Sequence, residues 1–513
     1  AGKDTIAEVF PLVNTCDLPE QEPSTQPKQP DPTWRDIITD PDNILSKKVV
    51  GEFKALNEEF AVVFQPDLPA YNAAFGRVEA SINIPQSLPT SDRLKTAPWY
   101  PKKLVNELQD KCDELEAMGI LVPPQDLLPP VHVEAMSPSF LVAKKPKGHR
   151  MVTSFGHIAA HAKNPPVPMD SIDTVLRNLS TWKYLICADI KSAYHQIPLS
   201  HDSLKYAGIS SPYKGTRVYT RAAMGMPGSE VALKELTSAL FGQMQRDNAL
   251  TVLMDDIYVG ANSIEELLSH WKTVLTRCKA ANIRLSPTKV TIAPKSTKIL
   301  GWIWHQGGIL TIDQHASHRL QTCDHPKTAA GLRGFLGAYR FMASAIPDHG
   351  TILQPLHTAV GEKSGSTPIE WTDELLAAFK AAQQSLDTAQ PLAQPKTGEQ
   401  LYMTMDASQK GIAATLVRES DKAVIKHFSA SLSQDKQRWL PCELEALAIG
   451  TGLQSFAPYF RESEKKPIVY TDSQPCVMAF KKMQRNAFSS SPRLSTFLRE
   501  VVNHGAELRH LKG

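Results

Sequence analysis

Residues 250–261 read LTVLMDDIYVGA, an apolar, β-branched run interrupted by two aspartates. Short apolar runs bounded by turn signals form buried strands, so the stretch predicts two strands meeting at a tight Leu-Met-Asp-Asp turn that carries Asp255 and Asp256. Residues 184–190, YLICADI, repeat the pattern and place Asp189 at a strand end. Burying a carboxylate without a partner is costly. Three acids on two neighbouring strands therefore point to one shared site, and hard Mg²⁺ is the cation that carboxylate oxygens suit. Two such ions held about 3.5–4 Å apart activate an attacking hydroxyl and stabilise a leaving oxygen in phosphoryl transfer. An Asp-Asp pair between apolar strands is also an ordinary hairpin turn, so the dipeptide alone decides nothing.

Upstream, NELQDKCDELEAMGIL (106–121) places Leu108, Cys112, Leu115 and Met118 at helical spacing and stops at Gly119. FLVAKKPKGHRMVTSF (140–155) predicts two short strands joined by a basic turn bearing Lys144, Lys145, Lys147 and Arg150. Downstream come a helical stretch (264–283), a strand pair in KILGWIWHQGGIL (298–310), and helices in AAGLRGFLGAYRFMAS (329–344) and DELLAAFKAAQQSL (373–386). DTAQPLAQPKTGEQ (387–400) precedes a new strand series at LYMTMDAS, which places a domain boundary near residue 395. Residues 15–45, crowded with Pro, Gln, Asp and Ser, read as a linker because they bury too little apolar surface to offset ordering entropy.

The 513 residues are 42% hydrophobic, enough for several cores, and two to four domains are expected. With 56 basic against 53 acidic residues the net charge is only +3, so any basic track for nucleic acid must be local. The seven cysteines (16, 112, 187, 278, 323, 442 and 476) show no CxxC pair or zinc spacing, which suits a reduced, intracellular, cytoplasmic setting. No secretory leader and no run of eighteen apolar residues is present, so no membrane partner is expected.

A second set of acids follows the boundary. MTMDASQKGIAATL, PCELEALAIG and VYTDSQP put Asp406 in a strand, Glu443 near a helix start and Asp472 at a strand end, with Glu445 competing for the helical position. A Glu near a helix start is ordinarily a dipole partner.

ADIKSAYHQI and MDD resemble the two metal-binding motifs of reverse transcriptases, those of gypsy-type long-terminal-repeat retrotransposon Pol polyproteins in particular. GLRGFLGAYRFM is similar to that group's thumb segment, and the resemblance spans roughly residues 48–513. It implies an α+β right-hand polymerase of fingers, palm and thumb followed by an α/β ribonuclease H-like domain. The implied boundaries are a Pro-rich extension (1–47), fingers and palm (48–310), thumb and connection (311–395), and the ribonuclease H-like domain (396–513). By resemblance Asp189 and Asp255 are metal ligands with Asp256 beside them, and Asp406, Glu443 and Asp472 hold the ions of the second site. Both sites take Mg²⁺, with Mn²⁺ as a substitute.

Tyr194 matches the ring that blocks the 2′-hydroxyl of an incoming ribonucleotide, and Lys145 and Arg150 match the residues that grip its triphosphate. A solvated basic hairpin is the alternative for that pair. Met224 matches a nucleotide-site position that is commonly Phe or Gln, Leu253 one that is usually aromatic, and VTSFGH departs from the family's fingers strand. Trp302 and Gly307 match the primer grip, although the tryptophans can equally be core. The implied partners are an RNA template, a DNA primer, deoxynucleoside triphosphates and an RNA·DNA hybrid, in an element whose particles assemble inside the cell. The family's fourth ribonuclease H acid lies beyond a segment like HLKG, where this sequence stops, so the domain is expected to be truncated and its activity weakened. A non-enzymatic nucleic-acid-binding subunit and an RNA-copying RNA polymerase are the competing readings; the intact acids argue against the first and Tyr194 against the second.

Overall fold

The computed structural model describes residues 30–93, 100–144, 148–166, 172–395, 398–485 and 491–511. Its central sheet is built from β1 (Ile38–Thr39), β2 (Tyr184–Asp189), β3 (Leu250–Leu253), β4 (Asp256–Ala261) and β5 (Thr291–Ile292), in the order β1-β5-β2-β4-β3. β4 runs antiparallel between β2 and β3, and its register sets Asp256 opposite Asp189 on one side and Leu253 on the other. β4 approaches its neighbours so closely that a Cβ on Gly260 would sit 1.7 Å from the Trp182 ring.

Helices Ser229–Arg246 and Ile264–Ala280 cover this sheet. The second begins at a capping box between Ser263 and Glu266 and buries Leu267, Trp271, Val274, Leu275 and Cys278 at helical spacing. The predicted basic hairpin forms from Ser139–Ala143 and His149–Thr153, antiparallel with Val142 opposite Arg150. The predicted helix upstream spans Lys102–Ala117, buries Leu108 and Cys112, and leaves Met118 at its exposed end.

Two expectations are corrected. Residues 30–45 do not form a linker: Trp34 packs against the core, Ile37 is buried, and β1 adds to the sheet beside β5. The Asp40 carboxylate accepts the Ile44 and Leu45 N–H groups at 2.7 and 3.0 Å, which satisfies the chain as it turns away. Composition over the window hid these few apolar anchors among prolines; residues 1–29 lie outside the described residues. The expected strand pair after residue 295 is a three-stranded sheet, Ser296–Ile299, Trp302–His305 and Ile309–Ile312.

The helices at 329–340 and 373–385 form a separate core around Leu332, Phe335, Tyr339 and Phe379. A second five-stranded sheet follows, made of β6 (Leu401–Ala407), β7 (Gly411–Arg418), β8 (Val424–Ser431), β9 (Ile468–Thr471) and β10 (Glu507–His510) in the order β8-β7-β6-β9-β10. β6 pairs antiparallel with β7 and parallel with β9, so β6 and β9 deliver their carboxyl ends side by side. Helix Pro441–Ser455 lies over them, with Ile449 and Leu453 in one core with Leu401, Met403 and Val469. No helix among the described residues is long and apolar enough to cross a membrane.

Candidate active sites

The β2, β3 and β4 ends build the first site. Met254 takes a left-handed φ of +57° at the turn, and the Ile190 N–H donates to the Asp255 carbonyl at 2.9 Å, tying the turn to the end of β2. Burial raises the Asp256 pKa to about 6, helped by the neighbouring charges of Asp255 and Asp189. Lys289 and the Tyr258 hydroxyl offset part of that rise. The three acids named from sequence are thus electrostatically coupled, as a shared site requires.

Sequence reasoning missed the groups that hold Asp189. Its two carboxylate oxygens are engaged by the Lys289 Nζ and the Ser286 Oγ, both at 2.7 Å. Burial opposes the charge on Lys289, but the hydrogen bond to Asp189 and the attraction of all three acids outweigh it and raise its pKa. Among the described residues no three His, Cys, Asp or Glu side chains are gathered as a ready-made metal site. The donor chemistry nonetheless fits hard divalent cations: the ligands are carboxylates, and their mutual repulsion is what a bound cation would relieve.

Tyr194 sits half-buried in a 3₁₀ turn, Ala193–Gln196, directly after β2. Its hydroxyl pKa is raised by burial and then by the charges of Glu230 and Asp255. Met224 is 65% exposed in the loop before helix Ser229–Arg246, and Arg150 is exposed on its hairpin. Lys145 lies outside the described residues.

Gly307 is exposed at the turn after Trp302–His305, with φ of +94°. Trp302 is corrected: it is 0% exposed, packed with Trp182, Tyr258 and Leu310, and cannot offer its ring to a duplex. Trp304 is equally buried, its indole N–H donating to the Leu179 carbonyl at 2.9 Å.

In the second cluster Glu445, rather than the expected Glu443, is the helix acid coupled to the other two. Glu443 is engaged by other partners: it accepts from the Leu440 N–H at 3.2 Å, the Arg493 guanidinium at 3.1 Å and the Ser491 hydroxyl at 3.3 Å. Burial works against its charge, yet these three partners hold its pKa below the usual value. Glu445 is the residue that feels the charges of Asp472 and Asp406. Burial first, then those two charges, raise its pKa to about 7, against weak help from the Thr471 hydroxyl at 3.5 Å and the Ala407 N–H. The signal that could have found it is spacing: Glu445 precedes Ile449 and Leu453 in steps of four, on the stripe that faces the sheet.

Residues 144–304 match the family model described as reverse transcriptase (RNA-dependent DNA polymerase), and residues 371–468 match the RNase H-like domain found in reverse transcriptase. The chain is thus similar to reverse transcriptases over 144–304 and to the RNase H-like domain found in them over 371–468. The chain is related to the Pol polyproteins of gypsy-type long-terminal-repeat retrotransposons. It is 24% identical over 474 residues to the retrovirus-related Pol polyprotein from transposon opus of Drosophila melanogaster, covering 89% of this chain and 45% of the relative. To the Pol polyprotein from transposon gypsy of the same organism it is 27% identical over 368 residues, covering 68% and 35%. The chain therefore spans less than half the length of these relatives. Its fold is that of the foamy viral protease-reverse transcriptase in complex with dsDNA, with a TM-score of 0.75 at 18% identity over 91% of this chain and 94% of that one. The same viral protein in complex with RNA/DNA hybrid gives a TM-score of 0.67 at 18% identity, covering 95% and 64%. The second family match opens at residue 371, upstream of the composition shift near 395.

Proposed function

We propose that this chain copies retroelement RNA into DNA by two-metal nucleotidyl transfer, and that its RNase H-like site hydrolyses the RNA strand of the resulting hybrid. The observation that carries the first part is the meeting of Asp189 and Asp256 in register at one end of the central sheet beside Asp255, where burial first and then the two neighbouring charges raise the Asp256 pKa to about 6. Asp189 and Asp255 are the residues to hold Mg²⁺, with Mn²⁺ as substitute and Asp256 beside them. Bound there, the ions would supply charge neutralisation for a primer 3′-hydroxyl and a departing pyrophosphate. Tyr194 closes the sugar side of the nucleotide site, Arg150 and Lys145 receive the triphosphate, Met224 borders the nucleotide, and Gly307 lies along the primer.

Asp406, Glu445 and Asp472 form the second metal set, Glu445 replacing Glu443. The domain plan is fingers and palm over 48–310, thumb and connection over 311–395, and the RNase H-like unit over 396–513, with residues 30–47 part of the palm. Template, primer and hybrid are gripped chiefly through phosphates, so affinity falls as salt rises. The working compartment is intracellular, inside a particle of the element.

The test is extension of a DNA primer on an end-labelled RNA template with deoxynucleotides and Mg²⁺, beside Asp255→Asn. Extension that the variant loses, with hybrid binding within a few-fold, supports the polymerase. Tight binding without extension in either Mg²⁺ or Mn²⁺ would make the chain a binding subunit.

A further inference from the structure

We propose that Gln196 is a positioning residue for sugar discrimination, acting through Tyr194 by locking the turn that carries the ring onto the segment that holds Asp189. The inference rests on the reading of Tyr194 as the gate.

Gln196 is 0% exposed, and its side-chain amide is used at both ends. Its Nε2 donates to the Lys191 carbonyl at 2.5 Å and to the Arg284 carbonyl at 3.0 Å, and its Oε1 accepts the Arg284 N–H at 2.7 Å. The amide therefore pairs with the backbone of residue 284 as a neighbouring strand would. It extends an antiparallel bridge between Ile190 and Leu285 whose last main-chain rung is the Lys191 N–H donating to the Arg284 carbonyl at 2.9 Å. The main chain stops pairing there, since Ser192 takes a left-handed φ of +43° to start the 3₁₀ turn and no ladder can pass through it.

What Gln196 grips is itself rigid. The Arg284 guanidinium makes a two-point contact with the Asp67 carboxylate, both distances 2.9 Å, and Lys191 Nζ donates to the Pro66 carbonyl at 2.6 Å. Two residues past Arg284, the Ser286 hydroxyl donates to Asp189. One side-chain amide thus joins the turn bearing the ring to the segment that orients a palm carboxylate. The ring itself is only half-buried, so its placement is set by its turn. Sugar discrimination is steric and sensitive to displacement, since a misplacement of about 1 Å in a site can change rates by about two orders of magnitude. A buried amide with all its bonds made can also be merely structural, and the two roles separate by experiment.

The measurement is the ratio of kcat/KM for deoxyribonucleotide over ribonucleotide, in full-length wild type, Tyr194→Ala, Gln196→Met and the double variant. The ratio cancels the concentration of active enzyme, so lost stability alone does not move it. Gln196→Met keeps length and apolar volume and removes all three bonds; it should lower the ratio by about fivefold or more, mainly through a lower KM for the ribonucleotide. In the Tyr194→Ala background the same change should have no further effect. If Tyr194→Ala lowers the ratio and Gln196→Met leaves it at the wild-type value, the inference is overturned and the gate stands. If Tyr194→Ala leaves the ratio unchanged, the gate fails, and Gln196 acting through it fails too. Should Gln196→Met not fold, Gln196→Asn, one methylene shorter, is expected to shift the ratio in the same direction; an unshifted ratio there also overturns the proposal.

Discussion

The two carboxylate clusters differ in how each is held. At the end of the central sheet both Asp189 oxygens are engaged by Lys289 and Ser286, and Lys289 relieves part of the charge around Asp256, which titrates at about 6. In the RNase H-like sheet, Glu445 has a distant hydroxyl and one backbone N–H to set against burial, Asp472 and Asp406, and its pKa rises to about 7. A cluster that carries its own ammonium stores less repulsion than one that does not. A cation arriving from solution therefore has more to relieve in the second site.

The largest expected effects test whether the helix acid is correctly reassigned. Glu445→Gln should lower cleavage of RNA in a hybrid by at least about 10²-fold, the scale of losing one electrostatic contact at a reacting centre, while Glu443→Gln stays within about fivefold. If Glu443→Gln proves the more damaging in an end-labelled RNA assay, the ligand is Glu443 and the comparison collapses.

Stability should move the opposite way. Removing the raised acid eases the folded state, so Glu445→Gln and Asp256→Asn should each stabilise the metal-free protein at pH 8, by on the order of 1–2 kcal/mol. Glu443→Gln keeps an oxygen to accept from Leu440 and Arg493 but loses the charge that strengthens both bonds, and should destabilise by about 1 kcal/mol. Thermal unfolding with a chelator present measures all three. Equal behaviour of Glu443 and Glu445 would show that burial and charge do not distinguish them.

The pH dependence follows from the same shifts. Glu445 and Asp256 have folded pKa values above their unfolded ones, so across the window between, from about 4 to about 7, the folded state binds the extra proton. Their combined penalty is absent below that window and complete above it. The metal-free protein should therefore gain stability from these two groups as pH falls from about 7 to about 4, and Glu445→Gln should remove the share that accrues between about 7 and about 4.5. Denaturant midpoints at a series of pH values decide it; a wild-type profile that the variant leaves unchanged would remove Glu445 as the source.

That Asp189 and Asp256 end neighbouring strands was legible from the repeated apolar pattern, while their metal role rested on the resemblance; the basic hairpin was legible because its turn residues are explicit. Glu445 was not assigned, although its four-residue spacing to Ile449 and Leu453 was readable, because a capping Glu and a sheet-facing Glu two positions apart look alike until the helix docks. Lys289 and Ser286 sit in a 3₁₀ turn and the stretch before it, where local pattern carries no orientation, and only tertiary folding brings them to Asp189. Trp302 read as a binding residue because a sequence shows an aromatic ring but not the 0% exposure that sends it inward. The supposed linker over 30–45 failed for the converse reason: Trp34, Ile37 and Ile38 are too few to change a composition, yet enough to dock a two-residue strand.

The smallest effect sharpens the contrast most directly. Lys289→Met takes the ammonium from Asp189 and leaves a buried carboxylate with the Ser286 hydroxyl alone. Because the lysine side chain is 62% exposed, solvent already screens much of its attraction, and the loss in chelator at pH 8 should be only about 1 kcal/mol. The informative quantity is the change on adding Mg²⁺. With Lys289 present, an arriving cation must displace an ammonium from Asp189; without that ammonium it meets uncompensated acids. The rise in melting temperature on adding Mg²⁺ should therefore be larger in the variant than in wild type. An equal or smaller rise would mean that Lys289 and the cation do not compete for Asp189, and that the two clusters differ for some reason other than a built-in positive charge.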